Sequence, residues 1–333
     1  MFTSKRVLSA LALAAAATVG VAGCSGEGGK QTEQSQQQGG GAGRVADTPR
    51  LTIAMITHEA PGDTFWDKIR AGAQAAAGKD NVDLKYSADP EAARQATLIQ
   101  NAVDSKVDAI AVTLSKPDAL APAIKAARDA GIPVVAFNSG IGDWKKSGAA
   151  MYFGSDEDLA GETAGKRIAE NGGKKPLCVI QEQGHVALEA RCAGVKKGAP
   201  ATENVNVQGT DLPSVQSTLR AKLQQDKNID YVVTLGAPFA LVAMQVVQEA
   251  GSEAKVVTFD LNADAAKAIQ DGKIDFAIDQ QPYVQGHEAI DSLWLHLTNG
   301  NDIGGGLPVL TGPSFVDKSN IAKIVEYATK GTR

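Results

Sequence analysis

The 333-residue chain carries 33 lysines and arginines against 38 aspartates and glutamates, a formal net charge of −5. With 43% hydrophobic and 21% charged residues, this composition excludes a disordered or collagen-like chain and argues against a nucleic-acid partner held by phosphate contacts. The length suggests two domains at about 150 residues each, and three cysteines are too few for a disulfide scaffold of this size.

Lys5 and Arg6 open the chain, and an apolar stretch follows from Val7 to Val21. It falls short of the about 20 residues a membrane span needs and reads as a secretory signal over residues 1–23. Its end, Val21-Ala22-Gly23-Cys24, resembles the bacterial lipobox, in which cleavage precedes the cysteine and a diacylglyceryl group is attached to its thiol. Cys24 is therefore the expected lipidation site. Residues 24–49 are dominated by Gly, Gln and Ser, too poor in apolar groups to pack, and read as a flexible tether. Together these features imply an extracytoplasmic protein, lipid-anchored to the cell membrane, whose folded part works in water.

From Leu51 onward strands and helices alternate. Leu51–Ile56 predicts a strand, 64–78 a helix, Val82–Tyr86 a strand, and 91–103 a helix. Asp108–Thr113 predicts a buried strand, Pro117–Ala130 a helix stopped by Gly131 and Pro133, and Val134–Phe137 a strand. Further strands are predicted at Leu177–Gln181, Tyr231–Leu235, Val256–Phe259 and Phe276–Asp279, with helices between. This beat implies βαβ units and parallel sheets.

One block recurs. Val112-Thr113-Leu114, Pro117 and Ala119-Leu120 return as Val233-Thr234-Leu235, Pro238 and Ala240-Leu241. Each copy then runs through Ala-Gly (130–131 and 250–251) into a strand, 134–138 and 256–260, ending in Asn138 or Asp260. The fold expected is α/β, with two doubly wound, Rossmann-like lobes facing each other across a ligand cleft. Open parallel sheets bind ligands beyond the carboxyl ends of their strands, so Asn138 and Asp260 should point into that cleft, and hinge closure is the expected motion.

Several segments carry a resemblance to a known family. Asp63-Thr64-Phe65-Trp66, Glu189-Ala190-Arg191-Cys192-Ala193-Gly194, Val257-Thr258-Phe259-Asp260, and Ala268–Lys273 followed by Ile278-Asp279-Gln280-Gln281-Pro282 resemble type I periplasmic solute-binding proteins of the ribose/galactose-binding family. The resemblance implies an N-terminal lobe from residues 50–152 plus 283–309 and a C-terminal lobe from 153–282 plus 310–333, joined by a multi-strand hinge. It implies a sugar or cyclic polyol as ligand, a membrane ABC permease as partner, a monomer, no cofactor, no metal and no catalysis. Aromatic rings suit the C–H faces of such a ligand, so Phe65 and Trp66 are candidate stacking residues beside Asp63, with ordinary packing as the alternative. Planar bidentate groups suit its hydroxyls, so Asn138, Arg191, Asp260 and Gln280 are candidate contacts. Arg191 could instead pair with a carboxylate, and Gln281 could replace Gln280. Asp211 lies in a turn that faces the cleft in the family. His58, after the first strand, and His185, before the Arg191 helix, could border the cleft.

Two departures bear on the ligand. The family's usual Asp-Arg pair after the fourth strand stands here as Asn138-Ser139. Its usual Asn after the Tyr231–Leu235 strand stands as Gly236. Ribose held in the familiar way is therefore not expected, and another pentose, a hexose or an inositol-like polyol is. Outside the cytoplasm Cys178 and Cys192 can form a disulfide; two buried thiols are the alternative. A sensory protein signalling ligand occupancy to a membrane receptor would share these features. A sugar-responsive repressor would need an N-terminal helix-turn-helix where the signal and tether lie, and an enzyme would need a nucleophile–base set that the chain does not offer.

Overall fold

A computed structural model describes residues 45–333. Cys24, the signal segment and most of the expected tether lie outside the described residues. The last of the tether is bonded to the folded body: the Ala46 N–H donates to the Lys79 carbonyl at 2.8 Å, and the Thr48 carbonyl accepts from Asn81 Nδ2 at 2.8 Å.

The first lobe is built from β1 (Leu51–Thr57), α1 (Phe65–Lys79), β2 (Val82–Ala88), α2 (Ala92–Asp104), β3 (Ala109–Thr113), α3 (Pro117–Asp129), β4 (Val134–Asn138), α4 (Trp144–Ser147) and β5 (Met151–Ser155). The second comprises α5 (Glu157–Glu170), β6 (Pro176–Ile180), α6 (Val186–Gly198), β7 (Glu203–Asn206), α7 (Leu212–Gln225), β8 (Tyr231–Thr234), α8 (Ala237–Glu249), β9 (Lys255–Phe259), α9 (Ala263–Gln270) and β10 (Phe276–Asp279). The chain then returns to the first lobe through α10 (Pro282–Asn299) and β11 (Val309–Gly312), and ends on the second with β12 (Ser314–Asp317) and α11 (Ile321–Thr329).

The sheet orders are β11-β5-β4-β3-β1-β2 and β12-β10-β9-β8-β6-β7. All pairings are parallel except β12 against β10. The order reverses about the first strand of each lobe, as in doubly wound sheets. The three crossings lie at Ser155–Glu157, Asp279–Pro282 and Gly312–Ser314. They fall a few residues beyond the boundaries expected at 152 and 309, because Val309 and Gly312 pair with Phe153 and Ser155 in the first sheet.

Both faces of each sheet are covered, so the central strands are apolar on both sides rather than alternating. In the first lobe Ile53, Met55 and Phe137 pack with Ile69 of α1 and Ile290 of α10, while Ile56, Ile110 and Val112 pack with Ile99 of α2 and Ile124 of α3. In the second lobe Val232 and Val256 pack with Leu219 of α7 and Ile269 of α9, while Val233 and Phe259 pack with Ala164 of α5 and Val195 of α6. Each such Val, Leu, Ile, Met or Phe side chain, fully buried, is worth about 1.5–3 kcal/mol.

Cys178 on β6 and Cys192 on α6 form a disulfide with their Cα atoms 5.8 Å apart. It ties α6, the helix that presents Arg191, to the sheet beneath it.

Candidate functional site

The carboxyl ends of both sheets open onto one cavity of ≈ 910 Å³ between the lobes, a size typical of small-ligand pockets. His58, Asp63, Phe65, Trp66 and Asn138 line it from the first lobe; His185, Arg191, Asp260 and Gln280 line it from the second lobe and the hinge. Asp211 does not line it. Its carboxylate accepts from the Ser214 N–H at 3.1 Å as the N-cap of α7, and the residue is exposed.

Asn138 ends β4 and Asp260 directly follows β9, with nearly equal left-handed φ values, 64° and 65°. The turn aims both side chains at the hinge, where Gln280 joins them. Asn138 Nδ2 donates to Gln280 Oε1 at 3.1 Å, and Gln280 Nε2 donates to the two Asp260 carboxylate oxygens at 2.9 and 3.1 Å. Gln285 of α10 braces this chain, bonding both Asn138 and Gln280. Gln281 points elsewhere, donating to the Thr311 carbonyl at 2.6 Å. Burial pushes the Asp260 carboxyl up to about 7, against the pull of Arg191 and Gln280.

Arg191 is both a cleft residue and half of an ion pair. Its Nε and Nη2 donate to Glu157 at 2.5 and 3.0 Å, and Nη1 donates to the Leu235 carbonyl at 3.3 Å. Nη1 also lies 3.7 Å from Asp260, and the guanidinium sits 4.8 Å above the Phe259 ring. Three of its five N–H groups are thus engaged within the protein. Glu157, the first residue of α5 and 1% exposed, was not foreseen. The fold brings it there because α5 and α6 pack backbone to backbone: a Cβ on Gly161 would lie 2.1 Å from the Arg191 carbonyl oxygen.

His58 and His185 meet across the lobes, Nε2 to Nε2 at 2.9 Å. The Ala187 N–H donates to Nδ1 of His185 at 3.2 Å, so the proton of His185 sits on Nε2 and points at His58. The His58 proton then sits on Nδ1 and goes to Thr113 Oγ1 at 2.7 Å. Both rings are neutral. Burial, helped by the charges of Lys116 and Arg191, lowers His58 to about 3, and burial drives His185 well down in the same direction. The lobes also touch through the Val186 N–H to the Ser115 carbonyl, 3.1 Å, and Lys116 to Glu182, 2.9 Å.

Trp66 is 3% exposed and packs edge-on against His58 and Phe65, so it is part of the first lobe's core as well as the cavity wall. Phe65 is only half-buried. Asp63 accepts from the Phe65 N–H at 3.0 Å, and burial raises its carboxyl. Phe239 of α8 also lines the cavity; an aromatic three residues past Gly236 inside an apolar helix carries no sequence signal that sets it apart from a core residue. Gly236 lies beside it: a Cβ there would meet the Phe239 ring at 3.4 Å, an ordinary contact. Lys68 of α1 and Gln181 after β6 also line the cavity; Gln181 Oε1 is buried without a partner among the described residues. The described residues include no His/Cys/Asp/Glu cluster able to hold a metal ion.

Arg191, Asn138, Asp260, Gln280 and Gln181 supply planar donors and acceptors, and Phe65 and Phe239 supply ring faces. Such a wall binds a compact, hydroxyl-rich molecule with apolar C–H faces. Comparison with known proteins agrees. The periplasmic binding protein domain matches residues 53–302. A carbohydrate transporter from Acidothermus cellulolyticus 11B, solved in complex with myo-inositol, is 59% identical, with a TM-score of 0.84 over 86% of this chain and all of that one. The ribose import binding protein of Escherichia coli is 27% identical over 251 residues, 72% of this chain and 83% of its own length. The xylose/arabinose-binding protein of Sulfolobus acidocaldarius is 24% identical over 300 residues, 84% of this chain and 74% of its own length. The chain belongs to the periplasmic binding protein family, as a type I sugar-binding protein of the ribose/galactose branch, and its relatives are binding proteins rather than enzymes.

Proposed function

We propose that this protein is the substrate-binding subunit of an ABC importer for a cyclitol, with myo-inositol as the ligand, and that it works as a monomer held to the membrane through a lipid on Cys24. The observation that carries the ligand is the 59% identity, across 86% of the chain, to a transporter protein crystallised with myo-inositol. The cleft supports it. Ribose-type recognition would use an Asp-Arg pair where Asn138 and Ser139 stand, and here the Ser139 hydroxyl is spent on Asn138 Oδ1 at 3.0 Å. A uniform ring of hydroxyls with no carbonyl or anomeric centre suits a wall in which the amides of Asn138, Gln181 and Gln280 stand among Asp260, Asp63 and Arg191.

Thermal melts of residues 45–333 test the reading against myo-inositol, D-ribose, D-xylose, D-glucose and amino acids. Ligand at 100 times its dissociation constant adds about 2.7 kcal/mol. The expected result is a shift of several degrees with myo-inositol and little with the aldoses. Asp260→Ala should abolish the shift. A shift confined to an aldose would overturn the cyclitol assignment, and one confined to amino acids would overturn the polyol class altogether.

A further inference from the structure

Lys68 is the one cation of the cleft without an ion-pair partner among the described residues. It sits on α1 two residues past Trp66, lines the cavity and is 4% exposed. Its Nζ makes a single long contact, 3.4 Å to the Thr64 carbonyl. The two other cations of the cavity are paired: Arg191 with Glu157, and Lys116 with Glu182. No carboxylate comes within ion-pairing distance of Lys68 among the described residues; burial pulls its pKa down, and the attraction of Asp260 and then Asp63 offsets this only in part. Fully buried lysines are rare unless they are paired.

We propose that Lys68 sets the selectivity of the cleft by donating from Nζ to one ring hydroxyl of the ligand, which in turn donates to Asp260. The assignment rests on the polyol reading given above. An ammonium has three donors and no acceptor, so its partner must be an oxygen with a free lone pair. A hydroxyl meets that need and passes its own proton to a neighbouring carboxylate, joining the two charges through the ligand. An anionic ligand group would satisfy the lysine but would be repelled by Asp260 and Asp63, which face the same space. A ligand lacking that oxygen leaves a buried cation unpaired, and a ligand with an amine there sets donor against donor. Either loss is larger than that of a neutral hydrogen bond.

The test is a cycle between protein and ligand. Dissociation constants are measured by calorimetry for wild type, Lys68→Met and Lys68→Gln, with myo-inositol and with the monodeoxy analogue of each ring position. Lys68→Met should weaken myo-inositol by about 10- to 100-fold. One monodeoxy analogue should bind Lys68→Met and wild type alike, while the others keep the full loss. Lys68→Gln, which retains a donor, should recover part of the affinity and covers the case in which the Met variant folds poorly. An equal loss on every analogue, or no loss on any, would overturn the proposal, as would tighter wild-type binding of an inositol monophosphate than of myo-inositol. Should wild type ignore myo-inositol, it is the cyclitol reading that falls, and the same cycle with D-ribose, D-arabinose and their monodeoxy forms decides the role of Lys68 by the same criterion.

Discussion

Asn138 and Asp260 do two jobs with one choice of side chain. Both hold a left-handed backbone that costs most L-residues about 1–2 kcal/mol and that short, polar Asn and Asp tolerate best. Replacing Asn138 by Gly or by Ala removes the same bonds to Gln280 and Gln285, but only Ala also pays for the backbone. Asn138→Ala should therefore be less stable than Asn138→Gly by about 1 kcal/mol, read as a lower midpoint in urea. Asp260 carries a pH signature of its own. Its carboxyl is raised from 3.8 to about 7 in the fold, so its contribution to stability is complete below 3.8 and is lost as pH rises through 7. Asp260→Asn removes that loss, and the variant should gain on wild type in melting temperature between pH 4 and pH 8; a gap that stays constant would show that the carboxyl titrates normally. These two residues were legible because the internal repeat put them at equivalent strand ends. Lys68 and Glu157 were not. Long charged side chains on helices face water by default, and only the meeting of two lobes and two helices buries these. Asp211 misled for a local reason: an Asp just before Leu-Pro is also a good helix N-cap, and here it serves as one.

The helix pairs that aim the site rely on glycines pressed against backbone. In the second lobe Gly161 and Gly165 of α5 face Gly194 and Gly198 of α6; in the first, Gly72 of α1 faces Tyr283 of α10, and Gly286 of α10 faces Ile69. A Cβ at Gly161 would lie 2.1 Å from the Arg191 carbonyl oxygen and one at Gly286 2.0 Å from that of Ile69. Gly161→Ala must push α6 away from α5 and separate Arg191 from Glu157. Overpacking of this kind costs about 1–3 kcal/mol, and because the displaced helix carries a cleft residue, ligand affinity should fall with stability. Gly78→Ala, on α1 with nothing within 4 Å of the added carbon, should gain about 0.5–1 kcal/mol from helix propensity and leave affinity unchanged. Comparing the two by melting and ligand titration separates crowding from a general effect of glycine loss. At this scale the sequence revealed the strands flanked by strong helical patterns and left out β5, β7, β11 and β12. Glu203–Asn206 is a polar edge strand, and β11 and β12 are four-residue strands either side of the last crossing, whose pairing with β5 and β10 is set by the sheets they join rather than by any local pattern.

Taken whole, the molecule is two lobes whose contact includes a histidine pair that tolerates no added proton. His185 accepts at Nδ1 from a backbone N–H and donates at Nε2 to His58, which donates onward to Thr113. A proton on His185 would set its Nδ1–H against the Ala187 N–H; a proton on His58 would set its Nε2–H against that of His185. The nearby charges add to the penalty, since Lys116 and Arg191 both disfavour a further cation, and their carboxylate partners Glu182 and Glu157 are already paired. Opening the cleft would expose both rings to water, where an imidazole titrates near 6.5. The sign follows from the direction of the shifts. Both pKa values are depressed in the closed form, so closure is fully favoured above about 6.5 and loses ground as pH falls below it. Asp260, raised to about 7, takes up one proton over the same range and opposes this with a shallower slope, so two histidines outweigh one carboxyl. Ligand affinity should accordingly drop at least about tenfold between pH 7 and pH 5. In His58→Gln/His185→Gln, where an amide pair can bridge the lobes without titrating, the drop should vanish or reverse, leaving only the Asp260 slope. Titration calorimetry of both proteins across this range checks it, and equal pH profiles would remove the histidine pair from the energetics of closure.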